Sequence, residues 1–124
     1  MFLDKFKPQS YALFRIMTGF LFFWHGAQKL FSFPEAFSYK LPAFIVYGAG
    51  PIELVGGVLV MFGLFTRYAA FLCSGLSAAA YWIAHGTKAF LPLLNGGELA
   101  VLYSFAFLCI ATHGAGIWSV DHDR

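Results

Sequence analysis

Four apolar stretches divide the chain, separated by short polar breaks that carry proline, glycine or charge. Crossing a bilayer takes about 20 mainly apolar residues in helical form. The first stretch runs from about Tyr11 to Phe31, after the polar opening Asp4-Lys5-Phe6-Lys7-Pro8. The second runs from about Phe44 to Phe65, beyond the connection between Pro34 and Pro42. Thr66-Arg67 makes a very short turn before the third, about Tyr68 to His85. A loop with Lys88, Pro92 and Asn95-Gly96-Gly97 leads to the fourth, about Glu98 to His113, which Gly114 and Gly116 stop. No internal repeat interrupts this order. The pattern predicts one all-α domain over residues 1–124, an integral membrane four-helix bundle with short loops.

Composition supports lipid rather than water as the main solvent. The 124 residues are 60% hydrophobic and 11% charged, with a mean hydropathy of +0.71. Ordinary globular chains carry roughly a quarter charged residues, so this surface cannot be covered with charge. The net charge of +2 is small and scattered, which excludes nucleic acid as a partner. Cys73 and Cys109 form no C-x-x-C pair and read as small apolar side chains. The first stretch is long, carries Arg15 and lacks an A-x-A site, so it reads as a retained helix rather than a cleaved leader. Four spans put both termini on one side with Lys5, Lys7, Arg15, Arg67 and Arg124; Lys29, Lys40 and Lys88 lie on the other. That asymmetry favours cytoplasmic termini.

Ionisable residues inside the stretches carry the functional information. A charge at the centre of a span costs about 2.5–3.5 kcal/mol on insertion scales. At about 100° per residue, Arg15, Gly19, His25, Gly26 and Lys29 share one side of the first helix. Ile16, Phe20, Phe23, Trp24 and Ala27 share the other. Glu53 sits near the middle of the second helix, on a face with Gly56, Gly57, Val60 and Leu64. It must face protein, either protonated or paired. The third helix, rich in small residues from Ala69 to Ala80, offers a surface close enough for those glycines.

Depth sorts the polar groups into two sets. His25, Lys29, Glu53, His85, Asn95 and Glu98 make one cluster running from the midplane to the outer surface. Arg15, Arg67, His113 and Asp121 make a second near the inner surface. Within the outer cluster, Glu53 and His25 are the candidates for proton relay. Each residue also has a structural reading. Glu53 can pair with Lys29 or Arg15, His25 and Lys29 can flank the interface by snorkelling, and Glu98 suits any helix N-terminus. His85 ends a helix, and Arg67 fixes the turn. No metal-ligand spacing is present and nothing requires bis-histidine haem ligation, so neither metal nor haem is expected.

Taken together, these motifs resemble the DoxX family of small four-helix membrane proteins. The matching elements are Arg15, Gly19 and His25-Gly26-x-x-Lys29-Leu30, then Ile52-Glu53-x-x-Gly56-Gly57 and Gly63-Leu64-x-Thr66-Arg67. Asn95-Gly96-Gly97-Glu98 and Gly114-x-Gly116-x-x-Ser119-x-Asp121 complete the order. His113 departs from it, standing where an apolar residue is expected. The resemblance implies a membrane subunit of a quinone-linked, thiosulfate:quinone-like oxidoreductase system in a bacterial cytoplasmic membrane. Quinone would be the cofactor, held by His25, Lys29, Glu53, His85, Asn95 and Glu98 between aromatic walls that include Trp24, Tyr81 and Trp82. The chain holds no electron carrier, so the donor would be a redox partner protein or a reduced sulfur compound. Whether the chain is itself an enzyme stays open. The alternatives are a non-catalytic scaffold for a redox enzyme, or a small proton-coupled transporter working as a homo-oligomer.

Overall fold

The structure, a computed structural model, describes residues 1–37 and 40–121. It is helical throughout, with no strand among the described residues. A 3-10 turn, Phe2–Phe6, leads into α1 (Lys7–Phe31). Next come a π-helical turn, Ile45–Ala49, and α2 (Gly50–Phe62). Then follow α3 (Thr66–Ala84), the single turn α4 (Pro92–Asn95) and α5 (Glu98–His113). The expected Arg124 lies outside the described residues.

Local chemistry explains where the helices depart from the expected bounds. Pro51 has no N–H to give the fourth carbonyl before it, so a regular turn fails there. The chain widens instead into a π turn, closed by Gly50 N–H donating to the Ile45 carbonyl five residues back. α2 stops at Phe62 rather than Phe65 because Gly63 takes the left-handed conformation, φ +70°.

α1 packs mainly on α2, and α3 on α5, with a lighter α2–α3 contact joining the two pairs. Glycines set the first seam. A Cβ on Gly19 would lie 2.5 Å from the Gly57 carbonyl oxygen, and one on Gly26 would lie 2.4 Å from Leu54 N. The second helix therefore turns Gly57 toward α1, where its Cβ position meets Phe23, and only Gly56 toward Cys73 of α3. Small residues alone had suggested that α3 would take both. Between α3 and α5, Ser74 donates to the Ser104 carbonyl at 2.7 Å and Ser104 returns the bond at 3.1 Å. Two such bonds contribute about 0.5–1.5 kcal/mol each. Phe22, Val60, Cys73, Tyr103, Phe107 and Ile110 fill the centre.

Among the described residues one helical run, Ile45–Phe62, is long and apolar enough on its own to cross a membrane. Glu98–His113 is apolar but shorter, and α1 and α3 are long enough but less apolar. The reason lies in their inner faces, where Arg15 and Thr18 on α1 and Thr66, Ser74 and Ser77 on α3 are buried. Their outer faces are different. Leu13, Met17 and Leu21 of α1, Phe71, Leu72 and Ile83 of α3, and Leu102 and Phe105 of α5 are exposed.

Candidate functional site

The α1–α2 seam places two opposite charges side by side. Lys29, in the last turn of α1, puts Nζ 2.8 Å from Glu53 Oε1, in the first turn of α2. Their side chains are only 14% and 9% exposed. At that distance the Lys29 ammonium and the Glu53 carboxylate form a direct ion pair. Gly26 and Gly50 make this approach possible, since a side chain at either would strike the facing helix. Of the two partners open to Glu53, the fold selects Lys29. Arg15 is committed elsewhere.

Two cavities meet at this pair. The larger, about 440 Å³, is bounded by Phe44, Ile45 and Ile52 on one side and Leu76, Ile83 and Ala84 on the other. Lys29, Glu53 and His85 supply its polar edge. The smaller, about 230 Å³, is bounded by His25, Lys29, Glu53, Ser77, His85 and Tyr103, with Phe22 and Leu99. Four of the six expected cluster residues, His25, Lys29, Glu53 and His85, thus border common space.

The other two are placed differently. Asn95 is buried, and its amide is spent on the loop. Nδ2 donates to Tyr81 Oη at 2.9 Å and to the Ala89 carbonyl at 3.1 Å, while Oδ1 accepts from Gly97 N–H at 2.8 Å. Gly97 is required there because a Cβ would lie 2.7 Å from the Tyr81 ring. Glu98 is exposed and borders a separate groove with Leu102 and Phe105. The expected aromatic walls also shift. Trp24 packs against Phe20, Phe23 and Phe33, Trp82 is exposed, and Tyr81 holds Asn95. Phe22 and Tyr103 form walls instead, with the His25 ring edge-on to Tyr103 at 5.6 Å. Tyr103 went unnoticed because α5 is apolar on both faces, so its inner side has no polar signature. No three His, Cys, Asp or Glu side chains converge as metal ligands among the described residues.

The expected inner group does gather at the opposite end, through backbone rather than through ion pairs. Arg15 is fully buried and donates to the carbonyls of Val60, Ala115, Ile117 and Trp118. Arg67 donates to the Ala111, Thr112 and His113 carbonyls, closing the end of α5. Asp121 accepts from Phe65 N–H at 3.0 Å, Thr66 N–H at 2.9 Å and Thr66 Oγ1 at 2.7 Å, capping α3. Partial burial raises the Asp121 carboxyl, but the bonds from Thr66 and Phe65, with Arg15 nearby, outweigh that and hold it below its ordinary value. His113 is exposed and its ring lies tilted against Tyr11, centroids 5.3 Å apart. The hydrogen bonds at this end tie the tail and the end of α5 to α1, α2 and α3.

A family profile described as DoxX matches residues 10–86. An uncharacterised protein of Haemophilus influenzae (strain ATCC 51907 / DSM 11121 / KW20 / Rd) is 40% identical over 126 residues, covering 97% of this chain and 94% of its own. A Bacillus subtilis (strain 168) protein named "Putative oxidoreductase CatD" is 33% identical over 113 residues, covering 88% and 82%. No solved structure gives a significant match.

Proposed function

This chain belongs to the DoxX family, and from that premise we propose that it is a multi-pass membrane subunit of a quinone-linked oxidoreductase system. The relative named for oxidoreductase activity supports the redox part. The exposed apolar outer faces and buried polar inner faces support four spans in lipid, because averaging over both faces hides how apolar the outer one is. In this reading the ends carrying Arg15, Arg67 and Asp121 face the cytoplasm, and the membrane is a bacterial inner membrane.

The observation that carries the reading is the Lys29–Glu53 pair at the polar edge of an apolar cavity. A volume of about 440 Å³ lies within the roughly 300–1,000 Å³ range of small-molecule sites. A quinone ring suits apolar walls with few polar groups, and the donor set here is a lysine, a carboxylate and a histidine. When bound, a quinone supplies two-electron, two-proton redox chemistry. The chain's own task is then to bind and to handle protons. Lys29 Nζ has the positive charge to hydrogen-bond a carbonyl, and Glu53 can hold or release a proton beside it. The helix walls exclude water from the slot, and electrons come from a partner protein.

A purely structural role for the pair is the second reading, favoured by the 2.8 Å contact itself. Mass spectrometry of small molecules co-purified with the protein in native nanodiscs separates the two. The proposal expects a stoichiometric quinone in the wild type and its loss in a folded Glu53→Gln variant. An empty wild type that also fails to take up added quinone would sink it.

A further inference from the structure

The apolar slot leaves the smaller cavity, on the other side of the Lys29–Glu53 pair, without a role. Two polar residues bordering that cavity are more than nine-tenths buried, Ser77 at 4% and Glu53 at 7% exposure over the whole residue. Ser77 Oγ has no hydrogen-bond partner, and Glu53 Oε1 has only the Lys29 ammonium beside it. Native folds rarely leave a buried hydroxyl such as Ser77 unsatisfied. Ordered water is the usual remedy in a polar space with room for it. A cavity of about 230 Å³ has that room, since a water takes about 30 Å³. Lys29, His25, His85 and Tyr103 supply the further polar contacts that a short water chain needs.

The cavity also has a direction. Its rim includes half-buried His85 and exposed Gly96 and Leu99, at the end of the bundle where α3 finishes and α5 begins. His85 Nδ1 lies 3.1 Å from the Asn95 carbonyl. A carbonyl only accepts, so the bond requires Nδ1–H and leaves Nε2 of the neutral ring as an acceptor. Among the described residues, the tail end of the bundle is closed by Phe107, Ile110 and the Arg15 carbonyl contacts.

We infer that this cavity is a hydrated proton chamber joining Glu53 to the aqueous face at the α3–α5 loop end of the bundle. The inference rests on the quinone reading for its purpose, because it names the side from which that site exchanges protons. His85 Nε2 takes a proton from bulk water at the rim, chamber water carries it inward, and the Glu53 carboxylate receives it. The reverse sequence releases it, and no electron moves in either. Lys29, His25, Tyr103 and Cys73 are the titratable groups around Glu53 during the transfer.

Thiol accessibility tests the chamber without any turnover. The background carries Cys109→Ser and keeps Cys73, which is fully buried one turn from Ser77 and serves as the dry control. Ser77→Cys is added, with Ala80→Cys as a second chamber-lining variant should the first fail to fold. Oriented proteoliposomes are treated from one side at a time with a small, membrane-impermeant cationic methanethiosulfonate. The chamber predicts labelling of the added cysteine from the loop-end side alone, while Cys73 stays unmodified. Labelling from the tail end, or none in a folded variant, overturns it. Quinone binding without labelling overturns the chamber alone; labelling without quinone binding leaves the chamber standing and overturns the slot.

Discussion

Replacing Gly26 by alanine tests the contact that brings the ion pair together. The added Cβ would sit 2.4 Å from Leu54 N and 2.6 Å from the Gly50 carbonyl oxygen. Both atoms are backbone, so no flexible side chain can yield and the helices must separate. Overpacking of this kind costs about 1–3 kcal/mol. Alanine's better helix propensity returns about 0.8–1 kcal/mol, leaving a net loss of about 0–2 kcal/mol against the wild type and the full cost of about 1–3 kcal/mol against a control that shares the propensity gain. Gly75 provides the control, because a Cβ there meets no heavy atom within 4 Å. Gly75→Ala keeps the propensity gain and should be neutral or slightly stabilising. The assay is thermal unfolding of both variants in the same mild detergent, beside the wild type. Gly26→Ala should melt several degrees below Gly75→Ala, and Gly75→Ala no lower than the wild type. Equal melting temperatures would refute the close approach of α1 and α2, and with it the geometry of Lys29 and Glu53.

Three further expectations follow from the same contacts. Lys29→Met should destabilise by about 3–5 kcal/mol because it strands a buried carboxylate, whereas Lys29→Met with Glu53→Gln should recover most of that loss in a double-mutant unfolding cycle. Asp121→Ala should cost about 0.5–2 kcal/mol, the range for a lost helix cap. Because the folded carboxyl is held below its unfolded value, about 3.9, the wild type's advantage is full above that pH. It fades as pH falls through the lower folded value, and a melting series in pH checks it. Arg15→Lys keeps the charge but loses the planar fork that reaches four carbonyls, so the segment from Ala115 to Trp118 should become sensitive to limited proteolysis.

Much of this arrangement was legible in the sequence, for definable reasons. Period and breakers marked four helices, because outward-facing and core-facing positions both select apolar residues and Gly114 ends the last one, whereas the left-handed backbone of Gly63, which stops α2 short of Phe65, went unread. The cost of burying charge drew attention to Glu53 and required a partner, but hydropathy carries no information on which cation is nearer. Gly26 and Gly50 decide that by letting α1 approach at Lys29's level. Asn95 looked like a site residue because its depth put it with the outer polar set; its partners Tyr81, Ala89 and Gly97 are a local matter of loop geometry. Glu98 lies at the expected end of the bundle but borders a separate groove, since being at a helix start says nothing about the direction it faces. Ser77 and Tyr103 were hidden for opposite reasons, one among many small residues and the other among many aromatic ones.

The most direct test of the central claim is photo-cross-linking with an azidoquinone in nanodiscs, with adducts mapped by peptide mass spectrometry. The account predicts adducts within residues 44–53 and 76–85, the two walls of the slot beside Lys29 and Glu53, and their loss in Glu53→Gln. Adducts confined to the exposed outer face around Leu102 and Phe105, or unchanged by Glu53→Gln, would contradict it.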